Sequence, residues 1–157
     1  MADVQRITYA TDFSEASLAA FPHALRLAKV TGAELTILHV LATPMSPFID
    51  SGYVPQEIWD QLDAGMRAHA GQKMDGLLRQ AVEAGVRATT AIVDGGIPAD
   101  EIVRAAESAK TDILVLGTHG RTGVARLVLG SVAARVVATA SCPVLTVRMA
   151  EAAGTRA

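Results

Sequence analysis

The stretch TDILVLGTHGRTGVARLVLGSVAARVVATAS, residues 111–141, contains the pattern on which the fold prediction rests. Its first part, TDILVLG (111–117), is a short apolar run typical of a buried β-strand. Its last part, SVAARVVATAS (131–141), has the spacing of a helix. A strand that leads through a glycine-containing loop into a helix indicates a parallel α/β sheet.

The same alternation continues through the rest of the chain. Apolar runs rich in β-branched residues predict further strands at 4–11, 34–41, 86–95 and 142–148. Helical spacing predicts further helices at 14–32, with Ser14 as N-cap and Gly32 as the stop, at 56–84 and at 97–110. Because parallel strands need crossover connections, we predict an α/β fold with an open, twisted, parallel five-stranded sheet and helices on both faces. The 157 residues fit a single domain.

Two segments interrupt this regular alternation. Pro22 lies inside the first predicted helix, so this helix either begins nearer Phe21 or is kinked at Pro22, and we favour the kink. The segment ATPMSPFIDSGYVP (42–55) has three prolines, a glycine and no steady period. We predict a long loop there, which could serve as a lid.

Composition excludes several classes of protein. Lys and Arg total 14 against 16 for Asp and Glu, so no general basic field favours nucleic acid. Cys142 is the one cysteine, and no Cys/His cluster has metal-ligand spacing. No run approaches the roughly 20 apolar residues that span a membrane, and the first residues lack the apolar stretch of a signal peptide. We therefore expect a soluble cytoplasmic protein with no nucleic-acid or membrane partner.

The glycine loop is the strongest candidate site. Glycine allows positive φ and close approach of a ligand to the backbone, and the first amides of a helix are unpaired donors that suit an anion. We expect Gly117 and Gly120 to turn the chain after the strand, and Gly130 and Ser131 to open the helix toward phosphate oxygens. Three loop residues add positive charge: His119, Arg121 and Arg126. The loop matches neither GxGxxG nor GxxxxGK[ST], and the alternative is that its glycines only make turns.

The residues resemble a known family. The spacing Gly117-x2-Gly120-x9-Gly130-Ser131, with YATDFSEAS, LTILHVL and SCPVLTVR, is similar to the universal stress protein family over residues 4–148. The resemblance implies strand order 3-2-1-4-5, a domain at 1–148 followed by a flexible tail at 149–157, and a homodimer paired through the last strand. Retention of all four motif positions implies the ATP-binding branch.

The resemblance also implies a set of site residues. Asp12 matches the family's acidic residue near the nucleoside, and Val40 matches the position whose backbone meets the adenine. The ribose and phosphate contacts are matched by Leu116, Gly117, Gly120, Gly130, Ser131 and Val132. Thr11 and Arg121 complete the predicted set, and any Mg²⁺ is expected to be held mainly by phosphate and water. Ala10 departs from the proline often found two residues before the aspartate.

Other candidates have simpler interpretations. Asp12 could instead only cap a helix, since Asp-Phe-Ser opens a helix well. His39 is interpreted as a hydrogen-bonded histidine at a strand end rather than a catalytic base. We expect His23 and His69 to lie on helix faces, and Cys142 to be a small buried hydrophobe.

Two function classes remain. The first is a nucleotide-dependent regulatory or stress-response module that acts as a homodimer and changes a surface for an unknown protein partner. The second is a slow ATP hydrolase of the adenine nucleotide α hydrolase-like group. Phosphoryl transfer needs a metal ion and charged groups on the transferring phosphate, but Asp12 is the only carboxylate that the predicted site offers. We therefore favour the binding module.

Overall fold

The structure is a computed structural model that describes residues 3–42, 55–119 and 129–149. In chain order its elements are β1 (Arg6–Ala10), α1 (Glu15–Thr31), β2 (Glu34–Leu41), α2 (Gln56–Glu83), β3 (Ala88–Asp94), α3 (Pro98–Ser108), β4 (Ile113–Gly117), α4 (Ser131–Thr139) and β5 (Val144–Val147). The predicted alternation of strands and helices is therefore confirmed.

The five strands form one parallel sheet in the order β3-β2-β1-β4-β5, as predicted. The chain leaves β1 toward β2 and β3 and later crosses to the other side of β1, where it adds β4 and β5. The strand order thus reverses between β1 and β4. Open α/β sheets bind ligands beyond the carboxyl ends of their strands at such a reversal.

Two helices cover each face of the sheet. On one face, α1 and α2 pack over β1 and β2 in a core that includes Tyr9, Phe21 and Met74. On the other face, α3 packs over β2 and α4 over β5, in a core that includes Leu114 and Val136. Full burial of such apolar side chains contributes about 1.5–3 kcal/mol each, so these two cores hold the strand ends in fixed relative positions.

The ends of α1 follow from its sequence. The hydroxyl of Ser14 accepts a hydrogen bond from the Ser17 amide, and Gly32 ends the helix with a φ of 73°. Both predicted signals are therefore confirmed. The helix is continuous through Pro22, so a start near Phe21 is wrong, and the kink stays a prediction.

Several predicted boundaries differ from the observed ones. β1, β3, β4 and β5 are each shorter than predicted, although outer residues such as Gln5, Thr11 and Arg87 still bond to β2 through their backbone groups. The predicted lid at 42–55 and the tail at 149–157 lie almost wholly outside the described residues. Within the described ranges, no helix is both long and apolar enough to cross a membrane.

Candidate functional site

The ends of β1 and β4 and the start of α4 meet at the carboxyl-terminal edge of the sheet. Thr11 and Asp12 follow β1 directly, and Thr118 follows β4. The amide of Gly130 donates to the carbonyl oxygen of Thr118 at 2.7 Å. This bond places the N-cap of α4 beside the end of β4, although 12 residues of sequence lie between Gly117 and Gly130.

Helix α4 begins where the glycine motif predicts. Gly130 is the N-cap, and Ser131 is the first helical residue. Within the described ranges, no side chain caps this helix, and its first turn has no acidic residue, whereas α1, α2 and α3 each have an acidic residue in the first turn. The first amides of a helix have no partner within the helix and carry partial positive charge. This end of α4 is therefore suited to an anion.

Gly117 has a different role from the predicted one. It is the last residue of β4, paired with Val147 of β5, and its φ is not positive. A Cβ atom at this position would lie 2.5 Å from the carbonyl oxygen of Ala16 and 2.9 Å from Cα of Ser17. The prediction that Gly117 turns the chain is wrong, because the glycine instead allows α1 to pack directly on the strand.

The turn between β1 and α1 holds Asp12 in place. Its Oδ1 atom accepts a hydrogen bond from the Ser14 amide at 3.0 Å and another from the Ser14 hydroxyl at 2.5 Å. Ser14, not Asp12, is the N-cap of α1. Asp12 therefore supports the cap from outside the helix, and its half-buried carboxylate lies at the sheet edge.

A cluster beside Asp12 could not be recognised from the sequence. Phe13 has a φ of 63°, which is rare for a bulky residue. The centroid of the Phe13 ring lies 4.5 Å from the centroid of the His39 ring, and the Lys73 ammonium lies 5.2 Å from the centroid of the Phe13 ring. His39 is buried, with its Nδ1 atom 2.8 Å from the carbonyl oxygen of Thr11. The interpretation of His39 as a hydrogen-bonded histidine is confirmed.

Val40 lies where β2 extends past β1. The pairing of β1 with β2 ends at Ala10 opposite Leu38, and the Leu38 carbonyl accepts from the Thr11 amide. Alternate strand residues direct their backbone groups to the same side, so those of Val40 are directed toward the space beyond β1. This geometry fits the predicted backbone contact with a base.

The remaining predicted residues divide into two groups. Leu116 is buried in the core and Val132 is partly exposed on α4, so Leu116 could meet a ligand only through its backbone. Gly120 and Arg121, with Arg126, lie outside the described residues. His119 follows Thr118, and its Nδ1 atom lies 2.9 Å from the Thr118 hydroxyl.

The other sequence candidates lie away from this edge or on the surface. His23 and His69 are exposed on α1 and α2, as expected. Cys142, predicted to be a small buried hydrophobe at the start of the last strand, is half-buried, packs against the α3 and α4 core and precedes β5. Burial against the α3 and α4 core raises the pKa of its thiol. In the described part of the chain, no group of three His, Cys, Asp or Glu residues could hold a metal ion.

A polar cavity of about 200 Å³ lies at the opposite, amino-terminal edge of the sheet. Its lining is mostly polar: Arg6, Thr8, Glu34, Thr36, Ala109 and Thr111. The Thr8 and Thr111 hydroxyls bond each other at 2.7 Å, so they are already satisfied. The strand-order reversal and the open end of α4 therefore make the carboxyl-terminal edge the candidate site.

Comparison with known proteins agrees with this geometry. A model of the universal stress protein family matches residues 3–148. The chain belongs to the universal stress protein family. The resemblance inferred from the glycine motif and the strand sequences is thus confirmed.

Individual universal stress proteins show how far the similarity extends. Universal stress protein MJ0531 of Methanocaldococcus jannaschii is 38% identical over 144 residues, which cover 92% of this chain and 82% of that protein. The solved structure of MJ0577 from the same archaeon is 29% identical, covers 96% of this chain and 99% of its own, and has a TM-score of 0.83. A universal stress protein solved in complex with cAMP is 26% identical and has a TM-score of 0.66. The match covers 95% of this chain and 100% of that protein's chain.

Proposed function

We propose that this universal stress protein is a regulatory module that binds an adenine nucleotide, preferably ATP, at the carboxyl-terminal edge between β1 and β4. The observation that carries the proposal is the start of α4, which the Gly130–Thr118 bond holds beside the end of β4 and where none of the described residues supplies an acidic group in the first turn or a side-chain cap. The similar universal stress protein solved with cAMP supports an adenine nucleotide as the ligand class.

The described residues fit such a ligand. The amides of Ser131 and Val132 and the Ser131 hydroxyl would donate to phosphate oxygens, because these first-turn amides have no partner within the helix. Asp12 would accept a hydrogen bond at the nucleoside end, and the backbone of Val40 would contact the base. When bound, the nucleotide supplies the negative charge that the positive end of α4 favours, with any Mg²⁺ held by phosphate and water.

The alternative function is slow hydrolysis of ATP. Among the described residues at this edge, Asp12 is the carboxylate next to the site, and one of its oxygens already accepts two hydrogen bonds from Ser14. Because phosphoryl transfer depends on several charged groups around the phosphate, this arrangement favours binding over rapid turnover. The proposal includes a homodimer and an unidentified protein partner, and a lone cysteine favours the reducing cytoplasm over an oxidising compartment.

Titration calorimetry with ATP, AMP and adenosine tests the proposal. We expect ATP to bind more tightly than adenosine, because only the phosphates reach the end of α4. Equal affinities for the two would contradict a phosphate site. A phosphate-release assay separates the alternatives, since turnover at ordinary enzyme rates of about 1–1000 per second would identify an enzyme rather than a binding module.

A further inference from the structure

Phe13 has a backbone conformation that its position in the fold does not explain. Among the described non-glycine residues, Phe13 and Lys110 have positive φ, at 63° and 51°. Lys110 follows the C-cap of α3, where a left-handed residue commonly ends a helix, and its amide bonds to the Glu107 carbonyl at 3.0 Å. Phe13 precedes a helix instead. Its conformation persists only if the surroundings hold it.

His39 contacts this turn at two of its residues. Its ring lies against the Phe13 ring with centroids 4.5 Å apart, while its Nδ1 atom lies 2.8 Å from the Thr11 carbonyl oxygen. A carbonyl oxygen only accepts, so Nδ1 carries the proton of this bond. The Phe13 amide in turn donates to the Thr11 hydroxyl at 3.0 Å. His39 therefore contacts the residues on both sides of Asp12.

The conformation of Phe13 determines where the Asp12 carboxylate points. Both hydrogen bonds from Ser14 to Asp12 Oδ1 span Phe13. If Phe13 changed its φ, Ser14 would move relative to Asp12 and these bonds could not both persist. His39 also directly precedes Val40 on β2, so one buried side chain links the turn that carries Asp12 to the strand that carries the predicted base contact.

We propose that Phe13 and His39 are positioning residues for the nucleoside end of the site. The stack of their rings holds the turn in its left-handed conformation, which fixes the Asp12 carboxylate at a set distance from the backbone of Val40. Lys73 of α2, with its ammonium 5.2 Å from the Phe13 ring, supports the stack from a neighbouring helix. This inference rests on the proposed function and adds a specific role for two side chains that are not among the proposed phosphate contacts.

Affinities for adenosine, ATP and inorganic tripolyphosphate test this role. Glycine adopts a φ of 63° without strain but provides no ring, so Phe13→Gly allows the turn without fixing it. We expect Phe13→Gly to weaken the binding of adenosine and of ATP by the same factor, about tenfold. A contact group that is misplaced loses much of its effect on binding. Tripolyphosphate should bind as in the parent. Phe13→Tyr keeps the ring and should retain parental affinities.

His39→Gln tests the second member of the stack. Glutamine can still donate to the Thr11 carbonyl but offers no ring for Phe13. The affinities for adenosine and ATP should therefore again fall together, while the affinity for tripolyphosphate stays unchanged. Phe21→Leu is the matched control, since Phe21 packs against Tyr9 with ring centroids 5.3 Å apart in the core. This control should lower the melting temperature without changing any of the three affinities.

Each result decides between the inference and the proposed function. If Phe13→Gly and His39→Gln bind adenosine within twofold of the parent, the positioning role is overturned and the proposed function stands. If both variants weaken the binding of adenosine and of tripolyphosphate alike, the ring stack serves only stability, and the inference is again overturned. A parent protein that binds neither adenosine nor ATP overturns the proposed function, and the inference with it.

Discussion

At the residue scale, Gly117 shows how a motif glycine can serve packing rather than ligand contact. In Gly117→Ala, the Cβ atom would meet backbone atoms of Ala16 and Ser17 at 2.5–2.9 Å. Because backbone cannot move aside as a side chain can, we expect the free energy of unfolding to fall by about 1–3 kcal/mol, as measured by urea denaturation.

Gly65→Ala is the matched control for this change. Gly65 lies inside α2, and a Cβ atom there would meet nothing within 4 Å. Alanine in a helix interior should raise the free energy of unfolding by about 0.5–1 kcal/mol. If the two variants were equally stable, Gly117 would not be required for packing.

Because of Tyr9, the stability of the fold falls at alkaline pH. Burial raises the pKa of Tyr9 from 10.0 to about 12, so the folded state favours the neutral phenol that donates to the Ser17 carbonyl at 2.8 Å. The contribution of this pKa shift to the free energy of unfolding is up to about 3 kcal/mol. It is fully present below pH 10 and is lost as the pH rises from about 10 to 12.

The variant Tyr9→Phe isolates this pH dependence. Loss of the hydroxyl should reduce stability at pH 8, because the bond to the buried Ser17 carbonyl is lost, but the further loss between pH 8 and pH 11.5 should be smaller than in the parent. Urea denaturation at the two pH values measures the difference. An identical further loss in both proteins would show that other groups cause it.

These residues also show what sequence could and could not predict. Ser14, Gly32, Gly130 and Ser131 lie at helix ends, where local chemistry alone selects the residue type, and the structure confirms their places. The close contact at Gly117 depends on α1, a segment about 100 residues earlier in the chain, so no local pattern could indicate it. The left-handed Phe13 escaped prediction because phenylalanine rarely adopts that conformation.

At the element scale, the start of α4 carries the proposed phosphate contact. Gly130 has a φ of −58° and a ψ of 153°, a conformation open to any residue. In Gly130→Val the helix should therefore still form, whereas the branched side chain should fill the space in which phosphate approaches the backbone. We expect parental melting and no ATP binding. If Gly130→Val had both the melting temperature and the ATP affinity of the parent, the interpretation of the motif as a phosphate site would be contradicted.

Ser131→Ala is the graded form of the same test. It removes one hydroxyl but keeps the helix amides, so ATP affinity should weaken by about 0.5–3 kcal/mol, depending on the charge of the partner. Elements as a whole were predictable because short runs rich in β-branched residues alternate with stretches of helical spacing along the chain. Their ends were less predictable, because a strand ends where its pairing with a neighbouring strand ends, and no local pattern shows that position.

At the scale of the whole molecule, the predicted homodimer depends on an edge strand. β5 is the last strand of the sheet order, and Leu145 on it is 39% exposed. Leu114 donates to the Pro143 carbonyl and Thr118 to the Val147 carbonyl, so the odd-numbered residues of β5 direct their backbone groups toward β4. The backbone groups of Val144 and Thr146 are therefore directed outward. Such groups pair readily with the same strand of a second copy.

Proline substitution at the two sheet edges tests this dimer. Val144→Pro removes an outward N–H of β5 without breaking the ladder to β4, so we expect a folded monomer by light scattering at micromolar concentration. Thr90→Pro is the matched control on β3, the opposite edge, because Arg87 and Gly95 bond toward β2 and the even-numbered residues between them face outward. This control should remain a dimer with the parent's mass. A monomeric parent would contradict the homodimer itself. A Val144→Pro dimer, or a Thr90→Pro monomer, would instead place the contact away from β5.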